Sequence, residues 1–300
     1  LRASISAMRE VCRQIQRDEC LLGVEDNVSP LEDVFELAGN RELAEAEKRY
    51  LPATASRPRA ILLAASRGAE LGALTDDRPK CMIEIRGQPL LRRLCATLRD
   101  GGVRDVVVVR GYCKDKINLP SIRTADNDLF ATTNVVASLA CAVDMIEGDC
   151  IIAYGDILFR HYLLDRLMDS DGDIVLVVDA LWRERQAGSG EREFVSVSRA
   201  FTPHGLDDEP SELTAMGTAL EEHAISGEWI GLARLSDKGC LAVRETIESM
   251  RRDGSLLKAD MTVLFSRLLA AGYGVRTVYV SGGWLDVDDL TDLNMAKDFL

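Results

Sequence analysis

Apolar and polar positions change rhythm along this chain, and each change marks an element. Residues 3 to 20 place Ile5, Met8, Val11 and Ile15 three to four apart, with Cys12 on the same face, which predicts a helix. Two further helical pieces follow, from about Leu31 to Leu37 and from about Arg41 to Tyr50. Leu51 to Pro58 (Leu-Pro-Ala-Thr-Ala-Ser-Arg-Pro) then breaks the pattern with two prolines and small polar residues and reads as a linker. A short helical appendage over residues 1–54 and a main domain over 57–300 are therefore expected.

After the linker, strand and helix patterns alternate. Strands are predicted at Ala60–Ala64, Asp105–Val109, Cys150–Ala153, Ile174–Val178, Phe194–Val197, Trp229–Leu235 and Val275–Val280. Helices are predicted at about Pro89–Arg99, Asn134–Ile146, Tyr162–Met168, Lys238–Arg252, Asp260–Ala271 and Leu290–Phe299. Val106–Val109 and Ile174–Val178 are apolar without alternation, as central strands covered on both faces are. The pattern predicts an α/β fold with a mostly parallel central sheet and right-handed crossovers. Ligands of such sheets sit beyond the carboxyl ends of the strands.

Three hundred residues, 47% of them hydrophobic, suffice for one large core plus a small appendage. The net charge of −13 argues against a nucleic-acid partner, which needs a dense cationic face. Anionic small molecules remain possible ligands if a divalent metal and a few local cations focus positive charge in one cleft. Eight cysteines (12, 20, 81, 95, 113, 141, 150 and 240) show no CxxC, and the three histidines show no zinc-ligand spacing. Isolated cysteines in apolar runs read as core residues of a reduced, cytoplasmic protein. No membrane span or signal peptide is visible, and the chain opens without methionine inside a helical pattern, as a piece of something longer would.

Candidate chemistry concentrates between Ala60 and Lys80, where an apolar strand runs into a small-residue loop ending on Arg78-Pro79-Lys80. Small residues let backbone N–H groups approach phosphate oxygens, and Lys80 adds a mobile positive charge. The loop matches neither GxGxxG nor GxxxxGK[ST]. Lys80 reads either as a solvated surface lysine or as a phosphate contact, and its place at the loop's end favours the contact. Asp156 follows a strand and a glycine, and Asp288 follows Trp-Leu-Asp-Val near the chain's end. Either could merely cap a turn, as could Asp286 and Asp289. Two carboxylates on separate strand ends facing one phosphate loop would make an oxygen site for Mg²⁺. Thr133 and Asn134 open a helix with Ser138 one turn on, and from spacing alone the ordinary N-cap reading prevails over contact with a base. Glu228-Trp229 and Trp182 pair a carboxylate with aromatic faces, which suits a cationic head group, although packing is the commoner use of such tryptophans.

Leu63-Ala-Ala-Ser-Arg-Gly68, Leu74-Thr75, Pro79-Lys80 and Ile85-Arg-Gly-Gln-Pro-Leu90 together resemble the nucleotidyltransferases that activate sugar phosphates and phosphocholine. Asn127–Leu139 and Gly155-Asp156 look closest to bacterial phosphocholine and phosphonate cytidylyltransferases. The resemblance implies a Rossmann-like nucleotidyltransferase fold over roughly 59–298. It further implies that Leu63, Ala64, Ala65, Ser66, Arg67, Gly68 and Lys80 hold the triphosphate of CTP, with Thr133, Asn134 and Ser138 toward the nucleoside. Lys80 and Asp156 would be catalytic, Asp156 and Asp288 would hold Mg²⁺, and Glu228 and Trp229 would face the acceptor. Two positions depart from the family pattern: Ser66 replaces a glycine and Glu70 an arginine. The charge reversal requires Glu70 to turn away while Arg67 or Arg78 supplies the cation, or else the site is impaired.

Residues 1–52 resemble the C-terminal tail of phosphoenolpyruvate mutase, through Arg2-Ala-Ser4, Val24-Glu-Asp26, Val34-Phe-Glu-Leu37, Glu42-Leu43 and Ala46-Glu-Lys-Arg-Tyr-Leu-Pro52. Such a tail implies a covalently linked mutase domain and, since mutases make carbon–phosphorus bonds, a phosphonate acceptor. The expected reaction is CMP transfer from CTP to 2-aminoethylphosphonate or 2-hydroxyethylphosphonate. Sugar-1-phosphate or phosphocholine transfer is the alternative within transferases, and a nucleotide-binding regulatory module without turnover is the alternative outside them.

Overall fold

The structure, a computed structural model, describes residues 58–185, 190–202 and 211–299. The three helices expected before residue 51, and the appendage they would form, lie outside the described residues. The main sheet has nine strands. In chain order they are β1 (Arg59–Ala64), β4 (Asp105–Arg110), β5 (Arg123–Asp126), β6 (Cys150–Tyr154), β8 (Ile174–Asp179), β9 (Phe194–Val197), β10 (Ser211–Gly217), β11 (Gly227–Leu235) and β12 (Arg276–Val280). Two small ribbons supplement it: β2 (Glu84–Ile85) with β3 (Gln88–Pro89), and β7 (Ile157–Phe159) with β13 (Trp284–Asp286).

Across the sheet the order is β5-β4-β1-β6-β11-β8-β12-β10-β9. β5, β4, β1 and β6 are mutually parallel, as are β8 and β12. β11 enters antiparallel between β6 and β8, and β10 is antiparallel to both its neighbours. The sheet, expected to be mostly parallel, is thus a mixed one. β9 pairs with β11 as well as β10, so β11, β8, β12, β10 and β9 close into a ring.

Alternation within the central strands explains the three layers. Ile61 and Leu63 of β1 point to one face with Val107 and Val109, while Ala60, Leu62 and Ala64 point to the other with Val106 and Val108. Each face therefore needs a helical cover. The first receives α2 (Val135–Ala140), α4 (Asp237–Arg252) and α5 (Met261–Ala270). The second receives α1 (Leu90–Asp100), through Leu91, Leu94, Cys95 and Leu98, and α3 (His161–Asp169), through Leu163, Leu164 and Leu167. A third cluster of Ile85, Leu90, Leu158, Leu285, Val287 and Ala296 seats α6 (Leu290–Phe299) beside both ribbons. The helix expected over Asn134–Ile146 stops early, because Cys141 and Ala142 donate three residues back, to Ser138 and Leu139, and tighten the backbone out of α geometry. Ser236 and Asp260 cap α4 and α5 with side-chain oxygens. Among the described residues no helix is long and apolar enough to cross a membrane.

Leu94 is fully enclosed between α1 and the sheet. Leu94→Ala is expected to cost ~2–5 kcal/mol of stability, read as a lower urea midpoint at unchanged slope.

Candidate active site

The carboxyl end of β1 opens a loop whose shape follows from a few contacts. Leu63 and Ala64 are the last residues of β1, and Leu63 O accepts the Gly155 N–H at 2.9 Å. A Cβ on Gly155 would fall 2.7 Å from that of Ala64, so this crossing of strand ends requires glycine immediately before Asp156. Ala65 is buried, and Ser66 and Arg67 face solvent. Gly68 then adopts φ +73°, and a Cβ there would meet the Lys80 side chain at 2.7 Å. The Gly68 backbone and the lysine stem are thus packed together. Thr75 is buried and donates its hydroxyl to Gly68 O at 3.0 Å, and Lys80 N–H donates to Arg67 O at 3.1 Å. The loop folds over Lys80 instead of merely leading to it.

Lys80 is 6% exposed. Its Nζ lies 2.9 Å from Asp156 Oδ2 and also contacts Asp288 Oδ1. Burial alone would push this ammonium down, but the two carboxylates outweigh it and hold the lysine above its ordinary range. Asp156 follows β6, and Asp288 arrives from the far end of the chain through the β7–β13 ribbon. In that ribbon Asp286 pairs with Ile157, and Val287 N–H donates to Asp156 O at 3.2 Å. Asp292 then accepts the N–H groups of Asp288 and Asp289, at 3.0 and 3.1 Å, fixing the backbone that presents Asp288. Asp289 caps α6 by accepting from Thr291 and Asp292. One of the terminal aspartates thus serves as a cap, as expected, while Asp288 turns to the lysine.

The remaining sequence-predicted residues divide clearly. Glu70 is exposed on the 3₁₀ turn Ala69–Thr75. Arg67 pairs with Asp76 at 2.7 Å and lies over the Tyr112 ring, and Arg78 pairs with its neighbour Asp77. Asn134 caps α2, donating also to Lys258 O, and Asn127 donates one amide to both Thr133 Oγ1 and Ser138 Oγ at 3.0 Å. These polar groups build the turn before α2 from within. Trp229 is corrected by the structure. It is 3% exposed, its indole donates to Leu232 O at 2.9 Å, and it packs edge-on against Tyr154 and Phe265. Alternation along β11 turns it into the core.

Glu228, 2% exposed, is held between Arg185 (2.7 Å) and Arg192 (3.0 Å). Arg185 also contacts Asp286 and stacks on Trp284 at 4.2 Å, and Arg192 stacks on Phe194 at 5.0 Å and reaches Trp182 O. Glu228 is therefore a neutralised structural carboxylate beside the site, and its aromatic neighbours carry the protein's own guanidinium groups. The hydropathy pattern gives no sign of Arg185 or Arg192. Another buried carboxyl, Glu193, accepts from the Tyr154 hydroxyl at 2.8 Å, yet burial pushes it up to about 8.

Comparison with known proteins places the chain in a family and a fold. The family model for the MobA-like NTP transferase domain matches residues 60–246, more than half of the chain. CTP:phosphoglutamine cytidylyltransferase of Campylobacter jejuni is 26% identical over 258 residues, 79% of this chain and 98% of that protein. A 2-aminoethylphosphonate cytidylyltransferase of Lancefieldella rimae is 29% identical over 110 residues, 35% of this chain and 45% of that protein. A stretch of 53 residues is 45% identical to phosphoenolpyruvate phosphomutase of Streptomyces viridochromogenes, covering 18% of this chain and 17% of that protein. In fold, the inositol-1-phosphate CTP transferase structure from T. maritima superposes with a TM-score of 0.66 at 19% identity, over 82% of this chain and 95% of that one. The α/β nucleotidyltransferase fold is thereby shown.

A raised carboxyl pKa binds its proton more tightly in the folded chain than in the unfolded one. Glu193 therefore subtracts stability as pH rises from its ordinary value of 4.5 to about 8. Glu193→Gln, which keeps an acceptor for Tyr154, is expected to raise the melting temperature relative to wild type by a few degrees at pH 8.5 and by little at pH 5.

Proposed function

The chain belongs to the MobA-like NTP transferase domain family, and on that premise we propose that it transfers CMP from CTP to a small phosphonate, releasing pyrophosphate. The observation that carries this reading is the convergence of Asp156 and Asp288, from two strand ends, on one buried cation beside the loop that follows β1. The cytidylyltransferase relatives support the nucleotide. The aminoalkylphosphonate relative and the short mutase-like match support the acceptor. 2-Aminoethylphosphonate is the first candidate and 2-hydroxyethylphosphonate the second. The mutase-like residues 1–52 fit a fused, upstream carbon–phosphorus chemistry.

The donor set fits Mg²⁺: two hard carboxylate oxygens already meet at one positive charge, and Mg²⁺ takes few protein carboxylates plus phosphate oxygens and water. When bound by Asp156 and Asp288, the ion supplies neutralisation of charge on the phosphates. Around it, Ser66 to Gly68 offer backbone N–H groups to the triphosphate and Lys80 offers its ammonium to the α-phosphate. Thr133 and Asn134, on the turn before α2, would lie toward the nucleoside, with Ser138 supporting that turn from within the helix. An acceptor phosphonate oxygen attacks the α-phosphorus in line, a phosphorus–oxygen bond forms, and the bond to the leaving pyrophosphate breaks. No covalent enzyme intermediate is required, since positioning and charge stabilisation carry the step. Glu70 is exposed and stands outside the Lys80–Asp156–Asp288 group, so the departure from the family pattern leaves that group intact and turnover is favoured over a silent nucleotide-binding role.

Pyrophosphate release from CTP with Mg²⁺ and 2-aminoethylphosphonate is expected, with UTP and sugar 1-phosphates much poorer. Lys80→Ala and Asp156→Ala should each lower kcat by on the order of 10²-fold or more. No turnover with either phosphonate would overturn the proposed acceptor class.

A further inference from the structure

The position of Lys80 has a consequence for how metal and nucleotide enter, and it rests on the metal-site reading above. Two carboxylates aimed at one point repel each other and attract any cation. Here that cation is built in. Lys80 Nζ lies 2.9 Å from Asp156 Oδ2 and touches Asp288 Oδ1, in a site where the lysine is 6% exposed. Its stem packs against Gly68, where there is no room for a Cβ, and its backbone N–H is tied to Arg67 O, so the stem is held while the terminal ammonium can change partners. The ammonium keeps its two carboxylates as long as nothing else offers it negative charge. A triphosphate does offer it, from the loop side.

We propose that Lys80 is a place-holding cation: in the nucleotide-free protein its ammonium occupies the gap between Asp156 and Asp288 and keeps a free divalent ion out. Metal then enters with the nucleotide, whose phosphates draw the ammonium away from the carboxylates. The lysine thereby sets the order of binding, apart from any contact it makes during transfer. Free metal competes with an attached ammonium for the same oxygens, whereas the metal–nucleotide complex brings a new partner for each charge.

Binding of Mn²⁺ to the nucleotide-free protein, followed by the electron paramagnetic resonance signal of the unbound ion, tests this without turnover and without any acceptor. Failure of the phosphonate assay would therefore leave its outcome unaffected. Lys80→Met is expected to bind Mn²⁺ at least tenfold more tightly than wild type. Wild type should gain comparable affinity when a non-hydrolysable CTP analogue is added. Asp156→Asn in the Lys80→Met background should abolish the gain. Lys80→Gln, uncharged and of similar length, carries the same titration if the methionine variant does not fold. Absence of a gain on removing the ammonium, whether both proteins bind Mn²⁺ alike or neither does, would overturn the proposal.

Discussion

One buried ammonium between two carboxylates organises this molecule. Lys80 comes from the loop after β1, Asp156 from the end of β6, and Asp288 from the ribbon that closes the chain. The enclosed member is Lys80, and taking away the carboxylates that compensate it would leave a buried ammonium without a counter-charge, a strongly destabilising arrangement. The fold accordingly spends much of its irregular structure on keeping them together. Gly155 lets the ends of β1 and β6 touch, Gly68 and Thr75 wrap the loop over the lysine stem, and the Val287–Asp156 backbone bond brings in the C-terminal carboxylate.

Around this centre the charges are also arranged in pairs. Arg67 and Arg78 are held by Asp76 and Asp77, and Arg185 and Arg192 by Glu228 and Asp286. In a chain of net charge −13, an incoming triphosphate meets arginines that are already engaged. On the proposed function, backbone N–H groups, a metal held by Asp156 and Asp288, and the Lys80 ammonium would supply much of its attraction. Glu70, where the family pattern has a cation, is exposed and takes no part in the buried charge group.

Much of this was legible in the residues. Unbroken apolar runs at Val106–Val109 and Ile174–Val178 mark strands covered on both faces, and both lie inside the sheet. The loop motif and its Pro-Lys end point to Lys80, and a carboxylate after a strand and glycine points to Asp156. What periodicity does not encode is strand direction, so the antiparallel insertion of β11 is invisible, as is the three-residue pairing of β7 with β13 that delivers Asp288. Ser211–Gly217 does alternate, but between segments of mixed polarity the signal is short. Trp229 misleads for the opposite reason: a tryptophan next to a glutamate suggests a ligand pocket, whereas strand alternation sends the two side chains to different surroundings.

Lys80 holds together two carboxylates that would otherwise repel, and a double-mutant cycle on thermal stability in metal-free buffer tests this most directly. The account predicts that Lys80→Met destabilises the fold and that adding Asp288→Asn restores part of the loss, because the repulsion disappears with one of the charges. Additive losses, with the double variant less stable than Lys80→Met, would contradict it.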